Sequence, residues 1–172
     1  MEKKYKLTEE TLEIDGIILH RIIALRDFYG VKKGDLGGFV EKESNLAHDY
    51  NCWIYNDAVV RGNAMVYGDA KVYDDATVCG NAKVCGKAMV YGEATVCGNA
   101  EVEKKSDYIV FKNWWSSGRY FTWTRSNDMW SVGCFYGTGE KLIKKAYKDS
   151  EEKGREYERI VRYVESIKSE IK

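Results

Sequence analysis

The sequence predicts a mainly β chain whose centre is a solenoid of short strands. Branched residues recur at every sixth position through the middle third of the chain, and alanines recur in step, four residues behind them. The branched positions are Ile54, Val60, Val66, Val72, Val78, Val84, Val90, Val96 and Val102, and the alanines are Ala58, Ala64, Ala70, Ala76, Ala82, Ala88, Ala94 and Ala100. A six-residue period fits neither an amphipathic helix nor a long alternating strand. We therefore expect each hexad to form one short strand and a turn, with three hexads closing a triangular coil.

The repeat resembles the hexapeptide-repeat, left-handed β-helix family. Glycine pairs such as Gly62-Asn63 and Gly68-Asp69 supply its turns, while valine fills the interior and alanine fits the tight corners. We predict a single-stranded left-handed β-helix over residues 40–105, with about three and a half coils stacked about 4.8 Å apart. An apparent two-residue insertion near Tyr50–Cys52 interrupts it. The proteins that it resembles usually form homotrimers, which is the assembly we predict.

Stacking at intervals of three hexads predicts which side chains share an outer face. One apolar face carries a tyrosine ladder and another carries threonine and cysteine. The ladder is Tyr55, Tyr73 and Tyr91, and the other set is Thr77, Cys79, Thr95 and Cys97. Both faces are too apolar to remain in water over this area. We predict that one of them is a subunit interface, and the sequence leaves open which.

Residues 1–39 are predicted to form a β-hairpin cap. Asp15-Gly16, a favoured two-residue turn, lies between two apolar runs, and the open end of a solenoid needs a cover for its unpaired strand edges. The stretch from His20 to Tyr55 resembles a region that precedes hexapeptide repeats in many bacteriophage, prophage and bacterial proteins, chiefly in its RDF, GDLGGFV and NCWIY segments. That resemblance implies a lineage and no particular reaction.

Residues 106–172 are predicted to be a small C-terminal α+β module of three strands and two helices. The predicted strands are residues 108–115, 118–126 and 129–137. The first helix begins near Gly139 with Thr138 as its N-cap, and Gly154 separates it from the second helix. The segment also resembles a C-terminal module attached to such repeats in phage and prophage proteins.

A ligand site is predicted on the aromatic strands of this module. Arg119 and Arg125 alternate with Phe121 and Trp123, and a hydrophobic core would exclude the guanidinium groups. Aromatic rings beside arginine suit a planar anion, because bases stack on rings and phosphates bind guanidinium and backbone N–H groups. The predicted ligand-binding residues are Trp114, Trp115, Ser117, Arg119, Tyr120, Thr122, Trp123, Arg125 and Thr138. An ordinary aromatic core is the alternative interpretation, and it accounts for Trp130.

The leading functional hypothesis is a non-catalytic, phage-type binding protein without a cofactor. A trimeric β-helix would present the C-terminal site, which would sequester a nucleotide-like host signal or block a host defence factor.

The first alternative is an acyltransferase that uses coenzyme A, because enzymes of the family that the repeat resembles usually have a histidine base near the subunit interface and a cofactor along the solenoid. His48, beside Asp49 in the irregular first coil, is the candidate base, whereas His20 in an apolar strand is expected to be structural. The second alternative is a structural assembly module.

Charge and composition argue against several other classes. The formal net charge of zero argues against bulk nucleic-acid binding. No segment approaches the roughly 18 apolar residues of a membrane span, so we expect a cytoplasmic protein, in the host cytoplasm if a phage encodes it. Five cysteines without a CxxC pair and only two histidines argue against a metal site or a disulfide framework, so reduced thiols are expected.

Overall fold

An antiparallel hairpin opens the chain, as predicted. The computed structural model describes residues 2–113 and 116–171, and it shows two compact units, Met1–Lys105 and Ser106–Lys172. The first strands are β1 (Tyr5–Ile14), β2 (Ile17–Ala24) and β3 (Leu36–Val40). Asp15 and Gly16 form the turn between β1 and β2, and both have positive φ (54° and 78°), as a type I′ turn requires.

Parallel strands of two residues make the β-helix, which confirms the predicted mainly β, left-handed β-helix. The strands are β4 (Trp53–Ile54), β5 (Val59–Val60), β6 (Met65–Val66), β7 (Lys71–Val72), β8 (Thr77–Val78), β9 (Lys83–Val84), β10 (Met89–Val90), β11 (Thr95–Val96) and β12 (Glu101–Val102). Every third strand pairs, which gives the three faces β4-β7-β10, β5-β8-β11 and β6-β9-β12. The hairpin extends one face, whose order is β1-β2-β3-β5-β8-β11.

The interior of the β-helix is made of the repeat residues. The strands of successive coils pair residues that lie 18 positions apart in sequence, such as Val72 with Val90. The branched and alanine positions of the repeat are all 0% exposed. Val40 pairs with Val60, twenty positions apart, so the first coil is longer by the predicted two residues. The division of this unit into a cap (1–39) and a β-helix (40–105) stays a prediction.

The C-terminal unit is an antiparallel sheet packed against two helices. Its elements are β13 (Tyr108–Lys112), β14 (Tyr120–Thr124), β15 (Met129–Val132), β16 (Phe135–Gly137), α1 (Gly139–Asp149) and α2 (Glu151–Ile167). The sheet order is β13-β14-β15-β16. Phe121, Trp123 and Trp130 of the sheet form one core with Leu142 and Val161 of the helices, so large rings supply much of the buried area.

Two local predictions for this unit are wrong. The predicted third strand is two strands, because Gly133 turns the chain between β15 and β16 with φ at 54°. The helices separate at Ser150, whose side chain accepts a hydrogen bond from the Lys153 N–H as the N-cap of α2. Gly154 lies inside α2, where its missing side chain leaves room for the Tyr147 ring of α1. Thr138 is the N-cap of α1, as predicted.

The expectation of five reduced thiols is wrong for one pair. Cys79 and Cys97 lie 18 residues apart at the same position of successive coils, with Cα atoms 4.6 Å apart, and their sulfur atoms form a disulfide. That separation lies within the range that a disulfide spans. The repeat itself therefore brings the two thiols together, while Cys52, Cys85 and Cys134 are free.

Substitutions at Gly80 and Gly92 separate two costs of a side chain in the coil turns. Both residues have positive φ (+68° and +67°), but a Cβ at Gly80 would lie 2.9 Å from the Gly98 nitrogen, whereas at Gly92 no atom of the described residues lies within 4 Å. Gly92→Ala should lower the free energy of unfolding by about 1–2 kcal/mol, from the left-handed backbone alone. Gly80→Ala should lower it by about 1–3 kcal/mol more, because stacked coils must shift. Urea unfolding of both variants measures the difference, and equal losses would contradict the close stacking.

Candidate functional site on the β-helix surface

The predicted C-terminal site residues lie in different surroundings. Trp123 is 2% exposed within the core, and its Nε1–H donates to Asp128 Oδ1 at 2.8 Å. Thr122, on the opposite face of β14, is also buried. Trp114 and Trp115 lie outside the described residues. The Trp123 ring therefore belongs to the core and the Thr122 hydroxyl is buried, although both were predicted to face a ligand.

The remaining predicted residues lie in turns and at strand ends. The Ser117 hydroxyl oxygen accepts a hydrogen bond from the Arg119 backbone N–H at 3.3 Å, and Tyr120 is half-buried. The Arg125 backbone N–H donates to the Asp107 carbonyl at 2.8 Å. These contacts order the turns on either side of β14.

Members of the predicted set line different cavities. Trp123 and Thr138 line a cavity of about 210 Å³ at the start of α1. Arg119 lines one of about 20 Å³ beside Phe135. The described members of the predicted set therefore do not share one cavity. A ligand-binding role for these residues stays a prediction.

His48, the candidate base, is held through both ring nitrogens. Its Nδ1 accepts a hydrogen bond from the Lys4 backbone N–H at 3.1 Å, its Nε2 lies 2.9 Å from Glu43 Oε1, and its ring stacks on Tyr5. Because Nδ1 accepts, the ring proton lies on Nε2, which donates to the carboxylate. Hydrogen bonds from Lys3 and His48 keep the pKa of Glu43 below its usual range. His48 therefore has no free lone pair for a substrate proton.

A buried lysine and cysteine lie next to this histidine. Lys4 and Cys52 are both 0% exposed. The Lys4 Nζ donates to the Cys52 carbonyl at 2.8 Å and lies 3.1 Å from its Sγ. Burial lowers the pKa of Lys4 and raises the pKa of the Cys52 thiol. The amine satisfies a backbone carbonyl that the long first coil leaves unpaired, which is a structural role.

His20 has one ring nitrogen free. The register of β1 with β2 shifts between Leu7 and Thr11, and beside this bulge the His20 Nδ1 lies 3.3 Å from the Thr8 carbonyl. A carbonyl only accepts, so Nδ1 carries the proton and Nε2 carries the lone pair. Among residues 2–113 and 116–171, Nε2 has no hydrogen-bond partner. His20 is half-buried and has the tautomer that a general base needs, next to a bulge of the kind found beside active sites.

A cavity of about 400 Å³ lies on the face of the β-helix that β4, β7 and β10 form. Its lining residues are Tyr29, Asn51, Asp69, Lys71, Tyr73, Lys87 and Met89. Coil stacking supplies most of this lining, since Lys71 pairs in register with Met89. The loop after β2 supplies Tyr29, which is 71% exposed. The Asn51 side-chain amide donates a hydrogen bond to the Asp69 carboxylate at 2.9 Å and so holds the orientation of that carboxylate.

The cavity has a cationic and aromatic lining. Lys71 Nζ lies 4.3 Å from the centroid of the Tyr29 ring, and Tyr73 stacks on Tyr55 with centroids 4.5 Å apart and ring planes 12° apart. Burial raises the pKa of Tyr73, which keeps its hydroxyl neutral. The two lysines outweigh the single carboxylate of Asp69, and together with the exposed Tyr29 ring they suit a ligand that combines phosphate groups with a planar ring.

A partial match to one curated protein indicates the structural class of this chain. No protein-family model matches it. It is 37% identical over 79 residues to the uncharacterized acetyltransferase YdcK of Escherichia coli (strain K12), a match that covers 41% of this chain and 24% of that protein. The chain thus spans about a quarter of the length of the relative it matches. Together with the coils, the match supports a hexapeptide-repeat, left-handed β-helix protein.

The prediction of a non-catalytic protein is wrong in the light of this match, because the relative is named as an acetyltransferase. The acyltransferase alternative is therefore better supported than the binding-protein hypothesis. The name of the relative indicates neither a phage origin nor a nucleotide or host-defence partner, so those parts of the hypothesis stay predictions.

Sequence reasoning found part of the β-helix cavity and missed the rest. The hexad period placed Tyr73 on one outer face with the tyrosine ladder, but Tyr29 and Asn51 come from irregular loops without a period. No helix of the described residues is long and apolar enough to span a membrane. Within residues 2–113 and 116–171, no group of three or more His, Cys, Asp and Glu side chains could hold a metal ion.

Thiol alkylation tests the packing around Cys52. In the folded protein at mildly alkaline pH, iodoacetamide should modify the exposed Cys134 and leave Cys52 unmodified, because burial blocks access and raises the pKa of that thiol. Peptide mass mapping after a timed reaction measures both positions, and both should react in urea. Equal rates at the two thiols in the folded protein would contradict the buried lysine–cysteine pair.

Proposed function

We propose that this chain is a hexapeptide-repeat acyltransferase that takes its acyl group from coenzyme A. The cavity on the β4-β7-β10 face is the observation that carries the proposal, since it combines two lysines with the exposed ring of Tyr29 and the half-buried ring of Tyr73. The 37% identity over 79 residues to a protein named as an acetyltransferase supports the same class of reaction. The parallel coils give such a cavity a rigid floor.

Coenzyme A matches the chemistry of this lining. Its adenine ring can stack on Tyr29 or Tyr73, and its phosphates can bind the ammonium groups of Lys71 and Lys87. The cavity volume of about 400 Å³ is within the range of small-molecule sites.

We assign the general base to His20. Its Nε2 lone pair would accept a proton from the amine or hydroxyl of the acceptor as that group attacks the thioester carbonyl. The carbon–sulfur bond then breaks, the acyl group passes to the acceptor, and coenzyme A leaves as the thiolate, which the proton from His20 neutralises. The Nδ1 contact with the Thr8 carbonyl would stabilise the imidazolium that forms between these steps.

A homotrimer completes the proposed site. The cavity lies on the β4-β7-β10 face, whereas His20 lies in the sheet that contains β5, β8 and β11. A cyclic trimer joins two different surface patches at every interface. The cavity of one protomer would thereby meet His20 of the next, and the apolar tyrosine ladder would be covered.

Binding of coenzyme A tests the assignment of the cavity. Lys71→Ala and Lys87→Ala should each raise the dissociation constant for acetyl coenzyme A about tenfold or more, because each removes a charge-assisted contact to phosphate. Lys83→Ala is the matched control, since Lys83 pairs with Glu101 on a different face and should change affinity little. Isothermal titration calorimetry measures all three. No binding by the unmodified protein would contradict the proposed function.

Variants of the two histidines test which one is the base. His20→Ala should lower the rate of thiol release from acetyl coenzyme A by about 10²–10⁴-fold, while the free energy of unfolding changes little. His48→Ala should retain the rate but lose about 1–3 kcal/mol of stability, since it leaves the Lys4 N–H without its acceptor. The thiol is measured colorimetrically with a panel of amine and hydroxyl acceptors. Activity lost in His48→Ala and kept in His20→Ala would reverse the assignment.

A further inference from the structure

Another cavity lies in the C-terminal unit, where α1 begins. Its volume is about 210 Å³, which is room for about seven water molecules at ~30 Å³ each. Its polar side chains come from Asn127, Asp128, Thr138, Glu140 and Glu165, and Trp130 and Gly139 also line it. The proposed acyl transfer makes no use of these residues.

Trp130 brings an unused hydrogen-bond donor to this cavity. Trp130 is 2% exposed, yet its indole N–H has no partner within the described part of the chain, whereas Trp123 donates its own N–H to Asp128. Trp130 Nε1 would lie only 3.3 Å from a Cβ at Gly139, so the glycine keeps this N–H open to the cavity. The Nε1 atom itself remains accessible from the cavity, so a ligand there can supply the acceptor that the indole N–H of a largely buried tryptophan ordinarily has.

The N-terminus of α1 adds further donors beside Trp130. This helix has 11 residues, and Thr138 Oγ1 accepts from the Lys141 N–H as its cap. The N–H groups of Gly139 and Glu140 belong to the first helical turn, which has no earlier carbonyls within the helix to bond. These groups and the helix dipole favour a negatively charged group at this position.

The rim of the cavity carries excess negative charge. Glu140 and Glu165 share one cation, since Arg162 Nη1 lies 2.6 Å from one carboxylate and 2.8 Å from the other. Asp128 has its own partner in Lys168 Nζ at 2.9 Å. A simple anion that approaches the donors would therefore be repelled by a carboxylate of the glutamate pair, while a ligand that also carries an ammonium group would be attracted.

We infer that this cavity binds a small free α-amino acid. The ligand carboxylate accepts hydrogen bonds from the Trp130 indole N–H and the first-turn N–H groups of α1, and the ligand ammonium group pairs with Glu140 and Glu165. The volume admits a small side chain. This inference goes beyond the acyltransferase proposal and does not depend on it.

Calorimetric titration of the full chain with glycine, L-alanine and L-serine tests the inference. Acetate and methylammonium are the control ligands, because each carries one of the two charges. Trp130→Phe and Glu165→Gln should each weaken amino-acid binding about tenfold, and Glu151→Gln, which removes an exposed carboxylate of the same helix away from the cavity, should not. Failure of all three amino acids to bind overturns the inference, and so does binding of acetate or methylammonium as tight as that of glycine.

A second measurement needs no substitution in the core. In ¹⁵N-labelled unmodified protein, added glycine should shift the indole N–H resonance of Trp130 downfield as it gains an acceptor, while the Trp123 resonance, already bonded to Asp128, moves little. A Trp130 resonance that does not respond at saturating glycine overturns the inference even if Trp130→Phe fails to fold.

Discussion

Backbone hydrogen bonding between coils is the constraint on which the rest of the first unit depends. Each strand of the β-helix, from β4 to β12, contributes only two residues, so a pair of such strands has too few hydrogen bonds to be stable by itself. The bonds instead run from coil to coil, as between the Lys71 N–H and the Ala88 carbonyl at 2.9 Å. Within the regular coils this arrangement places each residue over the one 18 positions away, which produces the Tyr55–Tyr73 stack and the Cys79–Cys97 disulfide alike. The proposed cofactor cavity is one more product of the same register, since Lys71 lies over Met89.

The departure from that register at the N-terminal end determines what the two histidines can do. A first coil that is two residues longer makes a loop whose carbonyls and rings must be satisfied locally, and Lys4, Tyr5 and His48 are committed to that task. The hairpin lies outside the coils, and its bulge holds His20 through one ring nitrogen only. The histidine in the irregular coil is thus structural, and the histidine in the regular strand is the one with a free lone pair.

The sequence predicted the features that follow from a regular repeat or a local turn and cap signal, and it did not predict those that depend on irregular loops. The β-helix, the hairpin and the Thr138 cap followed from the hexads, Asp15-Gly16 and cap chemistry, and each is confirmed. The sequence predicted the helix break at Gly154. This glycine instead lies inside α2, where the missing side chain leaves room for the Tyr147 ring of α1, and the break falls at Ser150, whose hydroxyl caps α2. His20 and Tyr29 owe their environment to contacts between residues distant in sequence, which no local pattern shows.

The aromatic stretch of the C-terminal unit illustrates the same limit. Arg119 and Trp123 alternate in the sequence, which predicted a polar aromatic face, yet Trp123 is buried within β14 while Arg119 is exposed just before that strand begins. Alternation therefore identified which side chains share a direction, and Trp123 is buried because it packs in one core with residues of α1 and α2.

Activity of mixed trimers tests the central claim, that the reaction site joins the cavity of one protomer to the base of the next. His20→Ala and the double variant Lys71→Ala, Lys87→Ala should each be inactive alone. After the two are unfolded together in equal amounts and refolded, about a quarter of the sites should combine an intact cavity with an intact base, because each mixed trimer has one such interface. Recovery of about that share of the unmodified activity is the predicted result. No recovery from mixtures that light scattering shows to be trimers, or a stable monomer that retains activity, would contradict the account.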